Sequence, residues 1–187
     1  MSDEAFIKQV LRSTPELWEV LTLTRRLTLK QGYLAAGSIR NSIWQTLSHQ
    51  PVNLTSDVDV VFFDPSRPAR DDLGLTQQLT IWAPQYQWQV KNEVYMAHYN
   101  FSDVPEFTSV TDAIGHFVET PTCIGARLMD ENQIELLAPH GLSDLMTLSC
   151  RPIPFYQQDE RHLAVYRQRM QQKHWQQQWP DLSISDC

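Results

Sequence analysis

Cysteine and long apolar runs are both scarce in this 187-residue sequence, and each absence excludes a class of protein. The three cysteines, Cys123, Cys150 and Cys187, form no Cys-x-x-Cys motif, which argues against a disulfide framework and against a zinc site. No apolar run reaches the roughly 18 residues of a membrane-spanning helix, and the acidic N-terminus has no signal-like apolar segment. We therefore expect a cytoplasmic protein with reduced thiols and no membrane partner.

Positive charge is also in deficit, since 15 Lys and Arg residues face 22 Asp and Glu residues and the net charge is -7. Proteins that bind long nucleic acids usually present a basic surface, so this balance argues against a polynucleotide substrate. A small nucleotide remains compatible with it. The sequence also lacks a repeat of fixed period.

The length predicts a single domain over residues 1–187 with a substantial core. The apolar pattern predicts N-terminal helices in 1–31, core strands and helices in 32–98, a loop, hairpin and helix in 99–155, and a C-terminal helix in 156–187. We place that last helix at about 157–178. The fold class that follows is α/β, or α+β, with a small mixed β-sheet flanked by helices mainly on one side.

The stretch 33–64 organises the chain, because it reads as a strand, a Gly37-Ser38 turn, a helix and a second strand. Ser38 is a suitable N-cap for this helix. Glycine at the turn lets backbone N–H groups approach a ligand without a Cβ in the way. The N-terminus of a helix favours an anion, so we expect a phosphate in front of this turn.

Arg40 supports the same interpretation. A cation in the first turn of a helix is disfavoured by the helix dipole, by roughly 0.3–1 kcal/mol, unless a negative partner sits there. A phosphate would be such a partner, and a surface carboxylate is the alternative.

Two aspartates open the second strand, in the order Asp57-Val58-Asp59-Val60. The strand period of two puts Asp57 and Asp59 on one face, about 6.5–7 Å apart along the backbone. Carboxylates at this spacing can share Mg²⁺, which prefers oxygen ligands and leaves positions open for phosphate and water. An isolated Asp-x-Asp could equally be a strand entry that caps loops.

Gly-Ser at a strand-to-helix turn, followed by Asp-x-Asp on the next strand, resembles the signature of the DNA polymerase beta-type nucleotidyltransferase superfamily. Nearly the whole chain is similar to a branch of small bacterial nucleotidyltransferase-like proteins, on the stretches AGSIRNSIW (36–44), WQVKN (88–92), ETPTCIGARL (119–128), APHGLSDL (138–145) and RP (151–152). The resemblance implies a polymerase beta-type core, an NTP substrate and Mg²⁺ or Mn²⁺ as cofactor.

The resemblance also implies a third carboxylate between the Trp and Val of the Trp-x-Val-Lys-Asn motif, where this chain has Gln89. An amide can coordinate a metal weakly or orient a hydroxyl, but it cannot deprotonate an acceptor. Glu93 lies on the same face by strand alternation and is a candidate substitute. Lys91 shares that face, either near a triphosphate or as a solvated lysine.

We therefore interpret the chain as a metal-dependent nucleotidyltransferase that moves a nucleoside monophosphate from an NTP to an acceptor hydroxyl or phosphate and releases pyrophosphate. The acceptor is unknown, and a small molecule or a protein is expected. The alternative is a catalytically impaired nucleotide-binding or regulatory module, and a scaffold without ligand would leave the aspartates unexplained. The expected catalytic residues are Asp57, Asp59, Glu93 and Gln89, with Asp57 and Asp59 as metal ligands. The expected nucleotide-binding residues are Gly37, Ser38, Arg40, Asn41 and Lys91.

Overall fold

A computed structural model describes residues 1–186 of the chain. The strands are β1 (Tyr33–Ala35), β2 (Val58–Phe62), β3 (Trp88–Asn92), β4 (Gly125–Leu128), β5 (Ile134–Leu137), β6 (Ser149–Cys150) and β7 (Ser183–Ile184). The helices are α1 (Asp3–Ser13), α2 (Pro15–Arg26), α3 (Gly37–Leu47), α4 (Asp71–Trp82), α5 (Val110–Ile114), α6 (Ser143–Met146), α7 (Glu160–Lys173) and α8 (Trp175–Gln178). The last residue, Cys187, whose thiol the sequence predicts to be reduced, lies outside the described residues. None of the helices within residues 1–186 is long and apolar enough to cross a membrane.

The main sheet has five strands in the order β3-β2-β1-β4-β5. Strand β1 is central and runs antiparallel to both β2 and β4, β5 is antiparallel to β4, and β3 is parallel to β2. The parallel pair is possible because α4 supplies the long crossover that such a connection needs. This sheet and its flanking helices confirm the predicted mixed α+β fold.

The N-cap of α3 lies two residues earlier in the chain than predicted. The helix begins at Gly37, so the N-cap is Ala36 and not Ser38. The Ala36 N–H donates to the carbonyl of Ile124 at 3.0 Å, and its backbone has φ 53°, which turns the chain into the helix early. A positive φ at alanine is strained. Ser38 is buried inside the first turn, where its Oγ donates to the Asp57 carbonyl at 3.4 Å.

The predicted single C-terminal helix over 157–178 is wrong, since α7 and α8 are separated at His174. His174 has a left-handed backbone, with φ 49°, and the chain changes direction there. The redirected α8 then packs against α3. A two-stranded parallel sheet of β6 and β7 follows the same change of direction. Its strands have two residues each, too few to give a periodic pattern in the sequence.

A tryptophan cluster joins the end of the chain to α3. The ring of Trp44 meets Trp175 edge-on at 5.5 Å and Trp179 at 5.0 Å between centroids. The Arg40 guanidinium lies 4.1 Å from the Trp175 ring centre. Helix α8 therefore covers the helix that follows the Gly37-Ser38 turn.

We predict that Trp175→Ala lowers the free energy of unfolding by about 3–5 kcal/mol, the usual cost of truncating a buried aromatic residue to alanine. The expected loss of stability has two causes, a cavity beside Trp44 and an uncovered face of the Arg40 guanidinium. Denaturant unfolding measures the free energy of unfolding. Ile81→Ala, at a side chain that is 79% exposed, is the control and should change stability by no more than about 0.5 kcal/mol. Equal effects in the two variants would show that the packing of α8 on α3 does not stabilise the fold.

Candidate functional site

The two predicted metal ligands lie together at the start of β2. Asp57 is exposed just before the strand, and Asp59 is partly buried within it. Burial, and then the charge of Asp57, raise the pKa of Asp59 to about 6. A raised carboxyl pKa from a like-charged neighbour is typical of sites where two acids converge. Both side chains are acceptor-only oxygen ligands when ionised.

The space in front of Gly37 is bounded by hydrogen-bond donors. A Cβ at this position would lie 3.7 Å from Arg40 Nη2, 3.8 Å from Ser56 Oγ and 4.0 Å from Asn41 Nδ2. These three groups, defined here as the Gly37 cradle, surround the space that a larger residue would fill. The cradle therefore suits an anion at the N-terminal end of α3.

Arg40 lies in the interior and is only 5% exposed. Its Nη1 donates to Thr122 Oγ1 at 2.7 Å, and its Nη2 donates to Asn41 Oδ1 at 2.8 Å. Burial lowers the pKa of Arg40 to about 10, and the charge of Glu119 partly opposes this shift. Neutral groups thus hold the guanidinium in place, and the surface carboxylate considered from the sequence is not its partner within residues 1–186.

Two further cations, which the sequence analysis missed, approach the carboxylates from α7. The charges of Lys173 and Arg169 both act to lower the pKa of Asp59. Arg169 Nε donates to Glu119 Oε1, and Glu119 is fully buried with no partner for Oε2 within residues 1–186. The sequence offers only the spacing of Arg169 and Lys173, four residues apart on one face of a helix, which an ordinary solvated helix face shares.

Strand β3 carries the remaining predicted site residues. Gln89 stands directly opposite Asp59 in the parallel pair, and Lys91 stands opposite Val61. Neither the Gln89 nor the Lys91 side chain has a hydrogen-bond partner in the part of the chain that the structure describes. Glu93 follows the end of β3 and is only 4% exposed, and burial together with the charge of Asp59 raises its pKa to about 8.

One cavity of about 830 Å³ opens between β2, β3 and α7. It is lined at this end by Asp59, Gln89, Lys91, Glu93 and Arg169. Within residues 1–186, no group of three or more His, Cys, Asp and Glu side chains is placed to hold a metal. Asp57 and Asp59 are a two-carboxylate set, which fits Mg²⁺ because this ion usually takes one or two protein carboxylates together with substrate phosphates and water.

Comparison with known proteins places this arrangement in a family. A family model described as a nucleotidyltransferase matches residues 22–184. A search of curated protein sequences finds no match.

Solved structures show the same fold. The chain is 38% identical, with a TM-score of 0.88, to a protein solved by NMR and described as revealing a CCA-adding enzyme head domain; the match covers 97% of this chain and 95% of that one. A CCA-adding enzyme with CTP matches with a TM-score of 0.61 at 12% identity, over 96% of this chain and 43% of that one. An apo form of a CCA-adding enzyme gives 0.59 at 12%, over 96% and 42%. The chain thus spans less than half the length of these two larger enzymes. On the family model and the 38% identical relative together, this chain belongs to the nucleotidyltransferase family.

Proposed function

We propose that this protein transfers a nucleoside monophosphate from an NTP to an acceptor hydroxyl or phosphate in a metal-dependent reaction, with release of pyrophosphate. The observation that carries the proposal is the convergence of Asp57 and Asp59 beside the Gly37 cradle. A metal-bound phosphate is a ligand that carboxylates and anion-binding donors can hold together, since the metal takes the carboxylates and the donors take the phosphate oxygens. The 38% identical relative, described as a CCA-adding enzyme head domain, supports this assignment.

The phosphates would lie between the Gly37 cradle and the cations of α7. Arg40 and Asn41 present nitrogen donors in front of the turn. Arg169 and Lys173 face the same carboxylates from the other side. Leaving pyrophosphate carries increasing negative charge, so preorganised cations around it lower the barrier to transfer. Glu119 acts here as a positioning residue, because it holds the Arg169 guanidinium.

Asp57 and Asp59 would hold Mg²⁺ or Mn²⁺, which supplies charge neutralisation to the transferring phosphoryl group. Asp59 must be ionised to act as a ligand, and with a pKa near 6 it is ionised at neutral pH. Gln89 is opposite Asp59, and in this proposal it would line the side from which the acceptor approaches. It can orient an acceptor hydroxyl but cannot take its proton.

The position of Gln89 also favours a second candidate function, a nucleotide-binding or regulatory module that has lost turnover. The two functions share the pocket and the metal. They differ only in whether the bound nucleotide is consumed. A cell would use the first as a catalyst and the second as a sensor of NTP.

We predict that Asp57→Asn and Asp59→Asn each reduce transfer from α-labelled NTPs by at least about 100-fold, since each removes charge from the metal site. The measurement is label incorporation into protein or cell-extract components, with pyrophosphate release, in Mg²⁺ and in Mn²⁺. Asp181→Asn, at an exposed residue outside the cavity, is the control and should behave as wild type. Metal-dependent NTP binding without transfer in the wild type would favour the binding module, and unchanged binding in both aspartate variants would refute the metal site.

We predict that Gln89→Glu tightens Mn²⁺ binding and raises transfer by about 100-fold, the lower end of a general base's contribution. The new carboxylate would stand opposite Asp59. Gln77→Glu adds the same charge on an exposed face of α4 and should leave both quantities unchanged. Titration with Mn²⁺ and the transfer assay give the two readouts. If Gln89→Glu changes neither, the amide at this position is not what limits catalysis.

Glu93 is a protonated acid near neutral pH in the metal-free protein, because its pKa rises from 4.5 to about 8 on folding. Such a group stabilises the fold fully below about pH 4.5, and this stabilisation is lost as the pH rises to about 8. We therefore predict that Glu93→Gln gains stability relative to wild type between pH 5 and pH 8. Thermal unfolding without divalent metal measures this difference.

The control for this prediction is Glu131→Gln, at an exposed residue, which should track wild type at every pH. A constant difference between Glu93→Gln and wild type from pH 5 to pH 8 would mean that Glu93 is charged at neutral pH. It would then be available to replace the missing third carboxylate.

A further inference from the structure

The cavity extends beyond the carboxylates into a part that the phosphate chemistry does not use. We define the aromatic lobe by five of the aromatic side chains that line the cavity: Phe101, Phe107, Phe117, Phe155 and Tyr156. The whole cavity has a volume of about 830 Å³, towards the upper end of the roughly 300–1,000 Å³ typical of small-molecule sites. The cavity as a whole is therefore large enough for a ligand with both a ring and a chain of phosphates.

Three rings of the lobe, Phe101, Phe155 and Tyr156, pack against one another. Phe155 lies 5.7 Å from Phe101 and 5.3 Å from Tyr156 between centroids, with interplanar angles of 69° and 85°. Phe101 and Tyr156 are buried, whereas Phe107, Phe117 and Phe155 are only partly buried and also line the cavity. Aromatic surface that remains open inside a concave site is suited to a planar apolar ligand.

Helix α7 runs along the cavity between the aromatic lobe and the carboxylates. Val165, Arg169 and Lys173 recur every four residues on one face of the helix. Val165 and Arg169 line the cavity, and the charges of Arg169 and Lys173 reach Asp59. Eight residues of α-helix span about 12 Å. One elongated ligand can thus have an apolar ring at the Val165 end and phosphates at the Lys173 end.

Amide groups line the same cavity between these ends. Gln168 and Gln172 project from α7, and Gln89 projects from β3. None of these three side chains has a hydrogen-bond partner within residues 1–186. Amides pair with the donor and acceptor edges of nucleobases, and aromatic side chains stack on their faces.

We propose that the aromatic lobe binds a nucleobase, with the attached phosphates directed to Asp57 and Asp59. This inference rests on the proposed function for the phosphate end only. The base belongs either to the donor NTP or to an acceptor nucleoside or nucleotide. Both sources present the same ring chemistry to the lobe, and binding measurements separate them.

The test uses Phe107→Ala, which removes a partly buried ring of the lobe. Its matched control is Phe6→Ala, which removes a partly buried ring of α1 that does not line the cavity. Calorimetry with Mg²⁺ compares the four NTPs with inorganic tripolyphosphate, which has the phosphates but no base. A second series titrates the four nucleosides into protein saturated with tripolyphosphate.

If the lobe holds the donor base, Phe107→Ala weakens NTP binding by about 5- to 150-fold, the range for one base stacked on an aromatic side chain. Tripolyphosphate binding then stays within about twofold of wild type, well below that stacking range. If the lobe holds the acceptor base, Phe107→Ala leaves the NTP and tripolyphosphate affinities unchanged. Nucleoside binding then weakens by about 5- to 150-fold. The proposal is overturned if Phe107→Ala differs from Phe6→Ala in neither series, or if the wild type binds neither NTPs nor nucleosides.

Failure of the proposed function gives a different result. Tripolyphosphate binding would then be independent of Mg²⁺ and unaffected by Asp57→Asn, while nucleoside binding still reports on the lobe. Phe117→Leu provides a second variant that keeps apolar volume but removes a ring, so a folding defect in Phe107→Ala does not decide the outcome. Phe117→Leu should weaken binding of the base in the same way and leave tripolyphosphate binding unchanged.

Discussion

The buried guanidinium of Arg40 is the constraint on which the rest of the site depends. A cation taken out of water loses several kcal/mol of hydration energy unless its surroundings replace the lost interactions. Here the replacements are the hydroxyl of Thr122, the amide of Asn41 and the face of Trp175. Each comes from a different part of the chain. The first turns of α3, the segment before β4 and the C-terminal helix α8 therefore meet at this one charge.

On the proposed function, the charge of Arg40 is one reason why an anion would bind at this site. Its contacts are neutral, and the nearby anion Glu119 is already paired with Arg169. On the other side, burial and then the negative charge of Asp57 raise the pKa of Asp59. A metal cation between Asp57 and Asp59 would offset the repulsion between the two carboxylates. A phosphate in front of the cationic side chains would offset the repulsion among them. Metal-bound triphosphate is one ligand that does both at once.

The sequence predicts local features of this site well and long-range ones poorly. Strand alternation is a local property, so it placed Asp57 with Asp59 and aligned Gln89 with Lys91. The start of α3 at Gly37 depends on a hydrogen bond from Ala36 to a carbonyl 88 residues away. The break at His174 depends on a tryptophan cluster with Trp44. Propensity within a window of a few residues contains no information about either contact.

The inward position of Arg40 has the same cause. The helix dipole marks Arg40 as a cation in an unusual place, but the sequence does not show that its side chain is buried. Its guanidinium lies in the interior against Trp175, and α7 carries the two more accessible cations, Arg169 and Lys173. Their polar spacing in sequence is indistinguishable from that of an ordinary solvated helix face. Only the packing of α7 along the cavity distinguishes them.

On the proposed function, Gln89 is the residue at which nucleotide binding and catalysis would separate. An NTP would carry a metal ion with its phosphates, and Asp57 with Asp59 would receive it. An ion that activates the acceptor would depend on the residue opposite Asp59, where an amide provides no charge. Glu93 lies four residues further along, beyond the end of β3, and burial keeps it neutral in the metal-free protein. On this proposal, a charge at position 89 would distinguish a transferase from a binding module, and NTP binding would not require it.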